Sequence, residues 1–500
     1  MLSSASSPHR PDRRVGAHQL APYLSGWRSP ATKGPGYRAL ADRLRLLILD
    51  GRLPVDTVLP SERALAEAIG ASRTTTTAAY RLLREEGFAH GSHGAGTWTA
   101  LPASEPAGAP YPLAVDGLPG AEDGTGDLSS AAAAAPPEVH AAYVSALADL
   151  PRFLPGHGYV TAGVSTLRAR IAASYTARGL PTVPEEIMVT AGALHAMHLT
   201  LNLLVHPGDR VLVEHPTYPI TIDATRRAGA RPVPLPVEDG WDPEQARTVL
   251  RQTGARFATL MPDCHNPTGQ IMDVAGREAM AAALADAGCL TIADETTQSL
   301  DLRAEFGRPA PEAPPFAAVA RPGSVITLGS MSKSVWGGLR IGWIRAEQSL
   351  IRQLAGLRAA DDLAGPVLEQ LAAARLLEQL EPLVARRRAE LARQCRALQA
   401  ALAAHLPDWE APTPDGGMVL WCRLPEPRSS ELVGAARSLG VLLNAGPRYG
   451  VDGAFESRLR IPFARPPEQL AAGVRLIAQA WHSPGAHLPG TTTGLQADVV

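Results

Sequence analysis

Five short apolar runs, IMVTAG, DRVLVEHP, RFATLMPD, CLTIADE and SVITLGS, alternate with helical segments through the middle of the chain. This alternation narrows the possible folds more than any other feature. Strand, helix and strand in succession form a parallel pair with the helix packed on one face, so the repeated unit predicts an α/β domain with a mainly parallel central sheet and helices on both sides. Ligands of such sheets lie beyond the C-terminal ends of the strands. Chemistry is therefore expected in the residues that follow each run.

The 500 residues exceed one ordinary domain, and 45% hydrophobic content with a formal net charge of -2 excludes a chain that is disordered, collagen-like or membrane-embedded throughout. No apolar run approaches the roughly 18 to 20 residues that span a bilayer. The polar, basic start MLSSASSPHRPDRR does not lead into the apolar stretch of a secretion signal. Cys264, Cys289, Cys395 and Cys422 stand far apart and form no CxxC pattern, which reads as reduced thiols in a cytoplasmic protein and gives no metal site. Of the 47 Lys and Arg residues, only Lys33 and Lys333 are lysines. Chemistry that needs a primary amine has two candidates.

Charge is unevenly divided. Residues 1–100 hold 13 Lys and Arg against 8 Asp and Glu, whereas the remainder holds 34 against 41. A small basic module ahead of a large acidic one points to an anionic partner, such as nucleic acid, for the first. The Pro-, Gly- and Ala-rich stretch LPASEPAGAPYPLAVDGLPGAEDGTG reads as a linker, and SPGAHLPGTTTGLQADVV as a disordered tail. The expected division is a flexible segment over 1–32, a DNA-binding module over 33–100, a linker over 101–126, a large domain over 127–482 and a tail over 483–500.

In the small module, Leu40, Leu44, Leu47 and Ile48 recur at helical spacing and stop at Gly51. Ser61 caps a second helix that ends at Gly70, and Ser72 caps a third that ends at Gly87. Two helices joined by so short a turn predict a helix-turn-helix with the third helix as the reading element, and FAHGSHGAGTWTA predicts a two-stranded wing. The stretch LPSERALAEAIGASRTTTTAAYRLLREEGFAHGSHGAGTW resembles the winged helix-turn-helix of the GntR family of bacterial regulators. That resemblance implies that Arg63, Ser72, Arg73, Thr74 and Thr75 approach phosphates and major-groove base edges, with His93 and Gly94 in the wing. A helix N-terminus carrying Ser, Arg and Thr suits this, since it offers amide donors and a guanidinium fork to DNA.

In the large domain, small residues Gly192 and Ala193 follow IMVT at a strand-to-helix turn, where backbone amides can meet a phosphate. Tyr218 follows DRVLVEHP, Asn266 opens a turn after RFATLMPD, Asp294 follows CLTIA, and Met331-Ser332-Lys333 follows SVITLGS, with Arg340 shortly after. A lysine at a strand end among hydroxyl residues suits an aldehyde cofactor: the amine forms a Schiff base, and Ser and Arg hold a phosphate.

The H-N-P-T-G and S-x-S-K-(x)6-R motifs, in this order, resemble the fold-type I aminotransferases, a class of pyridoxal 5'-phosphate-dependent transferases, from Asp127 to His482. The resemblance implies that Lys333 carries the cofactor and that Asp294 pairs with its pyridinium nitrogen, sustaining the electron sink. It further implies that Asn266 donates to the phenolic oxygen, Tyr218 stacks on the ring, and Ser330, Ser332, Arg340 and the Gly192 and Ala193 amides bind phosphate. Arg460, in LRIPFA, matches the arginine that takes a substrate carboxylate.

Two departures stand out. Thr296 occupies the place of a family tyrosine, and the usual Tyr-Gly pair is inverted to Gly158-Tyr159, which puts a phosphate contact across the family's dimer interface in question.

The combination resembles the MocR (PdxR-like) family of transcriptional regulators. It implies a homodimer that binds double-stranded operator DNA, keeps pyridoxal 5'-phosphate in an aminotransferase-like sensor, and responds to an amino compound or to the cofactor itself. The alternative is an active aminotransferase with a vestigial DNA-binding head.

Overall fold

The computed structural model describes residues 13–24, 27, 35–49, 52–92, 96–100 and 126–482. Lys33, His93, Gly94, nearly all of the expected linker and the expected tail lie outside the described residues.

The small module contains α1 (Gly36–Leu49), α2 (Glu62–Ala68) and α3 (Arg73–Glu85). Serines start the last two helices as expected: Ser61 Oγ accepts from the Ala64 N–H at 3.2 Å and Ser72 Oγ from the Thr75 N–H at 3.0 Å. The Tyr80 hydroxyl donates to the Pro60 carbonyl at 3.0 Å and ties α3 to the start of α2. Strands β3 (Ala89–Ser92) and β4 (Gly96–Thr99) form the antiparallel wing, which pairs with β2 (Thr57–Val58).

One expectation for this module needs correction. Residues 13–24 and 27 are not a separate flexible segment: β1 (Arg13–Arg14) pairs in parallel with β2, and Leu20, Leu24 and Trp27 are buried in the same core as Leu40, Leu44, Leu65 and Leu83. Three short helices leave more apolar surface than they can cover by themselves, and these residues close it. Leu20, Leu24 and Trp27 follow a helical period that Pro22 interrupts.

The large domain is built on seven strands: β5 (Ile187–Thr190), β6 (Arg210–His215), β7 (Arg231–Pro236), β8 (Phe257–Leu260), β9 (Leu290–Asp294), β10 (Val325–Ser330) and β11 (Gly342–Arg345). Their order is β5-β11-β10-β9-β8-β6-β7, parallel except for β11, which runs antiparallel to both neighbours. Successive residues of a strand serve opposite faces: Val211 and Val213 join one core while Leu212 joins another, and Ile292 and Ala293 divide the same way. Burial on both faces explains why these strands read as unbroken apolar runs.

Residues 127–482 also hold a smaller sheet with a core of its own. Strands β12 (Val419–Arg423), β13 (Asn444–Ala445) and β14 (Arg458–Pro462) form an antiparallel sheet in the order β12-β14-β13. The helices Leu380–His405, Ser429–Ser438 and Pro467–His482 pack on it around Leu420, Leu459, Ile461 and Phe463. Leu128 is buried in this core as well, so the chain visits the smaller sheet before it builds the larger one.

Candidate functional site

The C-terminal ends of β5, β9 and β10 gather the residues singled out in the sequence. Gly192, at φ +86°, ends the turn after β5, and the helix Ala193–Leu204 starts beside it. Arg340 folds back over this turn: its Nη2 donates to the Ala191 carbonyl at 2.9 Å. The approach is close, because a Cβ on Gly342 would lie 2.5 Å from the Gly192 carbonyl carbon and 2.7 Å from the Ala193 nitrogen. Only glycine at 342 lets β11 run against that turn. Ser330 Oγ donates to the Ile341 carbonyl at 3.1 Å and accepts the Ser332 N–H at 3.0 Å, which fixes Ser332 beside Ser330 and leaves the exposed Arg340 guanidinium at the rim. Helix-start amides, hydroxyls and a guanidinium around one cup can hold a phosphate.

Lys333 is half-buried behind this cup and donates from Nζ to the Ala131 carbonyl at 2.8 Å. Burial pushes its amine down to about 8, the Arg460 guanidinium adds to the depression, and Asp294 opposes it. A larger share of the amine is thus neutral and nucleophilic near neutral pH than in an ordinary lysine, although most of it stays charged below pH 8. Asp294 moves the other way: burial raises its carboxyl and Glu214 adds to the rise, while hydrogen bonds from Thr296 and the Lys333 charge lower it. Thr296 gives its backbone N–H to Asp294 Oδ1 at 3.0 Å, so the threonine helps to hold the aspartate.

Asn266 and Tyr218 complete the large-domain side. Asn266 is half-buried, and its Oδ1 is shielded from solvent and has no hydrogen-bond partner. Tyr218 caps the N-terminus of the helix Pro219–Arg227 and is half-buried. From the smaller sheet comes Arg460 on β14, 2% exposed, with its guanidinium 5.3 Å from the Tyr449 ring centre and its Nε without a hydrogen-bond partner. Arg460 Nη2 donates to the Ser129 carbonyl. A buried guanidinium with an unused donor is suited to a carboxylate.

Some groups at the site were not anticipated. Glu214, 2% exposed at the end of β6, accepts from Trp241 Nε1 at 2.6 Å and from the Met261 N–H at 2.9 Å, with His265 Nε2 at 3.4 Å. It braces the turn that carries Asn266. A glutamate closing an apolar strand is its only sequence signal. Ser129, Ala131 and Asn444 had none, and all three touch the Lys333 or Arg460 groups or the strand that meets them.

The four thiols are buried and unpaired. Burial raises Cys264 well above the ordinary thiol range and pushes Cys289, Cys395 and Cys422 up to about 12. Protonated thiols of this kind are poor nucleophiles and poor ligands. No group of three potential metal ligands, and no helix long and apolar enough to cross a membrane, occurs among the described residues.

On the small module, Arg63, Ser72, Arg73 and Thr74 are exposed and Thr75 is half-buried. Ser72 and Thr75 spend their side chains on each other, with the two hydroxyls 2.7 Å apart. The first-turn amides of Arg73 and Thr74, together with the two arginine side chains, are left as the donors that face outward.

Two known families divide the chain in the same way. Residues 36–98 match the bacterial regulatory proteins of the gntR family, and residues 125–477 match aminotransferase class I and II. The chain is 30% identical to the 2-aminoadipate transaminase of Thermus thermophilus over 333 residues, 64% of this chain and 80% of that protein. It is 25% identical to the uncharacterized HTH-type transcriptional regulator YdfD of Bacillus subtilis over 460 residues, 86% and 93% of the two chains. It is 31% identical to the probable rhizopine catabolism regulatory protein MocR of Rhizobium meliloti over 331 residues, 62% and 65%. Among solved structures, the α-aminoadipate aminotransferase LysN of Thermus thermophilus, complexed with N-(5'-phosphopyridoxyl)-L-leucine, superposes with a TM-score of 0.63 at 27% identity, covering 71% of this chain and 91% of that one. The chain belongs to the aminotransferase class I and II family, and it carries a gntR-family domain at its N-terminus, the fusion that the MocR-type regulators share.

Proposed function

We propose that the protein is a cytoplasmic, homodimeric transcriptional regulator whose aminotransferase-like domain binds pyridoxal 5'-phosphate and whose winged helix binds operator DNA. The observation that carries this reading is Lys333. One of two lysines in the chain stands at a strand end beside Asp294 and Arg460, with its amine pushed down to about 8 by burial. The residues fit the cofactor. Arg460 has an unused Nε donor, Asn266 brings a half-buried amide to the same side, and the turn at Gly192 starts a helix beside Ser330, Ser332 and Arg340.

When bound, the cofactor supplies an electrophilic aldehyde and an electron sink. Around it, Lys333 offers the amine and Asp294 faces the ring nitrogen, whose positive charge offsets the burial of the carboxylate. Asn266 would donate its amide to the phenolic oxygen and Tyr218 would stack on the ring. Ser330, Ser332, Arg340 and the Gly192 and Ala193 amides hold the phosphate, and Arg460 takes the carboxylate of an amino-acid effector. Arg63, Arg73, Thr74 and the capped start of α3 face DNA phosphates and bases.

The dimer reading is supported by exposed apolar side chains. Val144, Leu147, Leu154 and Tyr159 lie bare on the helix Glu138–Asp149 and the turns after it. Exposed apolar side chains of this size suit an interaction surface, and two heads on a two-fold axis suit paired half-sites.

Titration of the purified full chain with pyridoxal phosphate tests the reading. A visible absorbance band is expected with wild type and not with Lys333→Ala, and an unchanged spectrum in the wild type sinks the cofactor assignment. Arg73→Ala is expected to weaken binding to a duplex selected by the full chain by roughly tenfold and to lower the salt slope by about 1.

A second reading, an aminotransferase that turns over, is favoured by the retention of Lys333, Asp294, Asn266 and Arg340 together. Repeated conversion of an amino acid and a keto acid would establish it.

A further inference from the structure

The segment that follows the linker enters the site before the chain builds the larger sheet. Leu442 donates its N–H to the Gly126 carbonyl at 2.7 Å, and Leu128 donates to the Leu442 carbonyl at 3.0 Å, so this stretch extends the smaller sheet by a short parallel pairing. Asp127 accepts from Arg465 Nη2 at 3.0 Å, and from the Ser129 N–H at 3.0 Å and hydroxyl at 2.7 Å. The next two carbonyls in alternation then meet the site. The Ser129 carbonyl accepts from Arg460 Nη2 and, at 2.9 Å, from Asn444 Nδ2, while the Ala131 carbonyl accepts from Lys333 Nζ at 2.8 Å. Asn444 and Arg460 are cross-strand partners on β13 and β14, which is why both reach one oxygen. The backbone thereby occupies the two cationic groups that a ligand of this site needs.

We propose that residues 127–131 are a strap whose docking on Arg460 and Lys333 reports the occupancy of the site to the DNA-binding module. The proposal rests on the regulatory reading above and adds the element through which the signal passes. A carboxylate competes well for Arg460, because it brings a full negative charge and can accept two parallel N–H bonds from the guanidinium fork, whereas a carbonyl is neutral and accepts at one oxygen. Lys333 releases Ala131 for a chemical reason. When its nitrogen bonds to an aldehyde carbon, the aldehyde oxygen leaves as water with the two protons of the neutral amine, and the donor that Ala131 accepts is lost.

The strap begins where the linker ends, so its release changes the anchor of the tether that leads to the winged helix. The tie between Lys333 on the larger sheet and Arg460 on the smaller one is cut at the same time. A ligand alters DNA affinity only as far as it distinguishes the docked strap from the released one, and operator DNA must alter ligand affinity by the same factor.

Hydrogen exchange of the 127–133 amides, the visible absorbance and the affinity for a selected operator duplex, all measured on the full chain with pyridoxal phosphate as the probe, test the proposal. In the wild type, pyridoxal phosphate should raise strap exchange by roughly tenfold and shift operator affinity by about fivefold or more. Asn444→Ala and Asp127→Asn remove strap anchors and leave Lys333 in place. Each should raise strap exchange without the probe, move operator affinity to the value of the loaded wild type, and keep the absorbance band.

Two results would overturn the strap. One is a wild type that binds both probe and operator with no change in strap exchange. The other is a pair of variants with an undocked strap and the operator affinity of the unloaded wild type. A wild type with no absorbance band, or with no operator binding, would overturn the regulatory reading itself and the strap with it. The wild-type arm stands if either variant fails to fold.

Discussion

At the scale of single residues, the site works by holding charges where water is scarce. Lys333 pays for its position in lost hydration: burial lowers the amine from 10.5 to about 8, and the neighbouring Arg460 charge adds to the effect. Below pH 8 the amine is charged in both folded and unfolded chains, and the folded state carries the full penalty. Between about pH 8 and 10.5 the unfolded chain still binds the proton and the folded one does not, so folding becomes more favourable as pH rises. Lys333→Met should therefore melt above the wild type at pH 7 in the absence of cofactor, with the gap closing as pH approaches 10. A gap independent of pH would show that the lysine is well solvated. The positions of Lys333, Asp294 and Asn266 were legible in the sequence because Asp294 closes its strand and the other two follow theirs within six residues, and Arg340 stands just before β11. Glu214 was not, since its value comes from Trp241 and His265, which other strands and loops deliver.

At the scale of elements, local rules placed the helices of the small module well. Ser61 and Ser72 cap the helices they were expected to cap, because capping is settled within four residues. The N-terminal stretch followed a different rule. Leu20, Leu24 and Trp27 are ordered by the core they enter, which is assembled from residues as far along as Ala89. Deleting residues 1–27 should cost the module about 4 kcal/mol or more, the transfer value of three large apolar side chains after partial relaxation. Deleting residues 1–12 removes none of these contacts. Thermal unfolding of both truncations, followed by operator binding, checks the difference, and equal stability would return the segment to the role of a tail. The same reasoning covers the smaller sheet of β12, β13 and β14. Its strands lie far apart in sequence, and β13 has only two residues, too few to show a period.

At the scale of the whole molecule, Lys333 after β10 and Arg460 on β14 meet the same short segment, Ser129 to Ala131, and apolar side chains remain exposed on the helix Glu138–Asp149 and the turns after it. Leu154 is 67% exposed and Tyr159 60% exposed, on the side where the inverted Gly158-Tyr159 pair lies. In a homodimer this face is covered. Leu147→Glu and Leu154→Glu should shift sedimentation toward the monomer and weaken operator binding, while the Lys333 absorbance band remains. A wild type that sediments as a monomer at every concentration would leave the patch without a second copy.

The sequence by itself determined the βαβ alternation, the parallel sheet, the caps of the winged helix and the order of the site motifs. Each of these is a short-range property of residue type and spacing. Only the tertiary structure decided that Leu20, Leu24 and Trp27 belong to the winged-helix core, that residues 127–482 build a second, smaller sheet with its own core, and that Ser129 and Ala131 lie on Arg460 and Lys333. Those two contacts join positions 331 and 202 residues apart. They involve backbone carbonyls, which every residue carries and no side-chain pattern can mark.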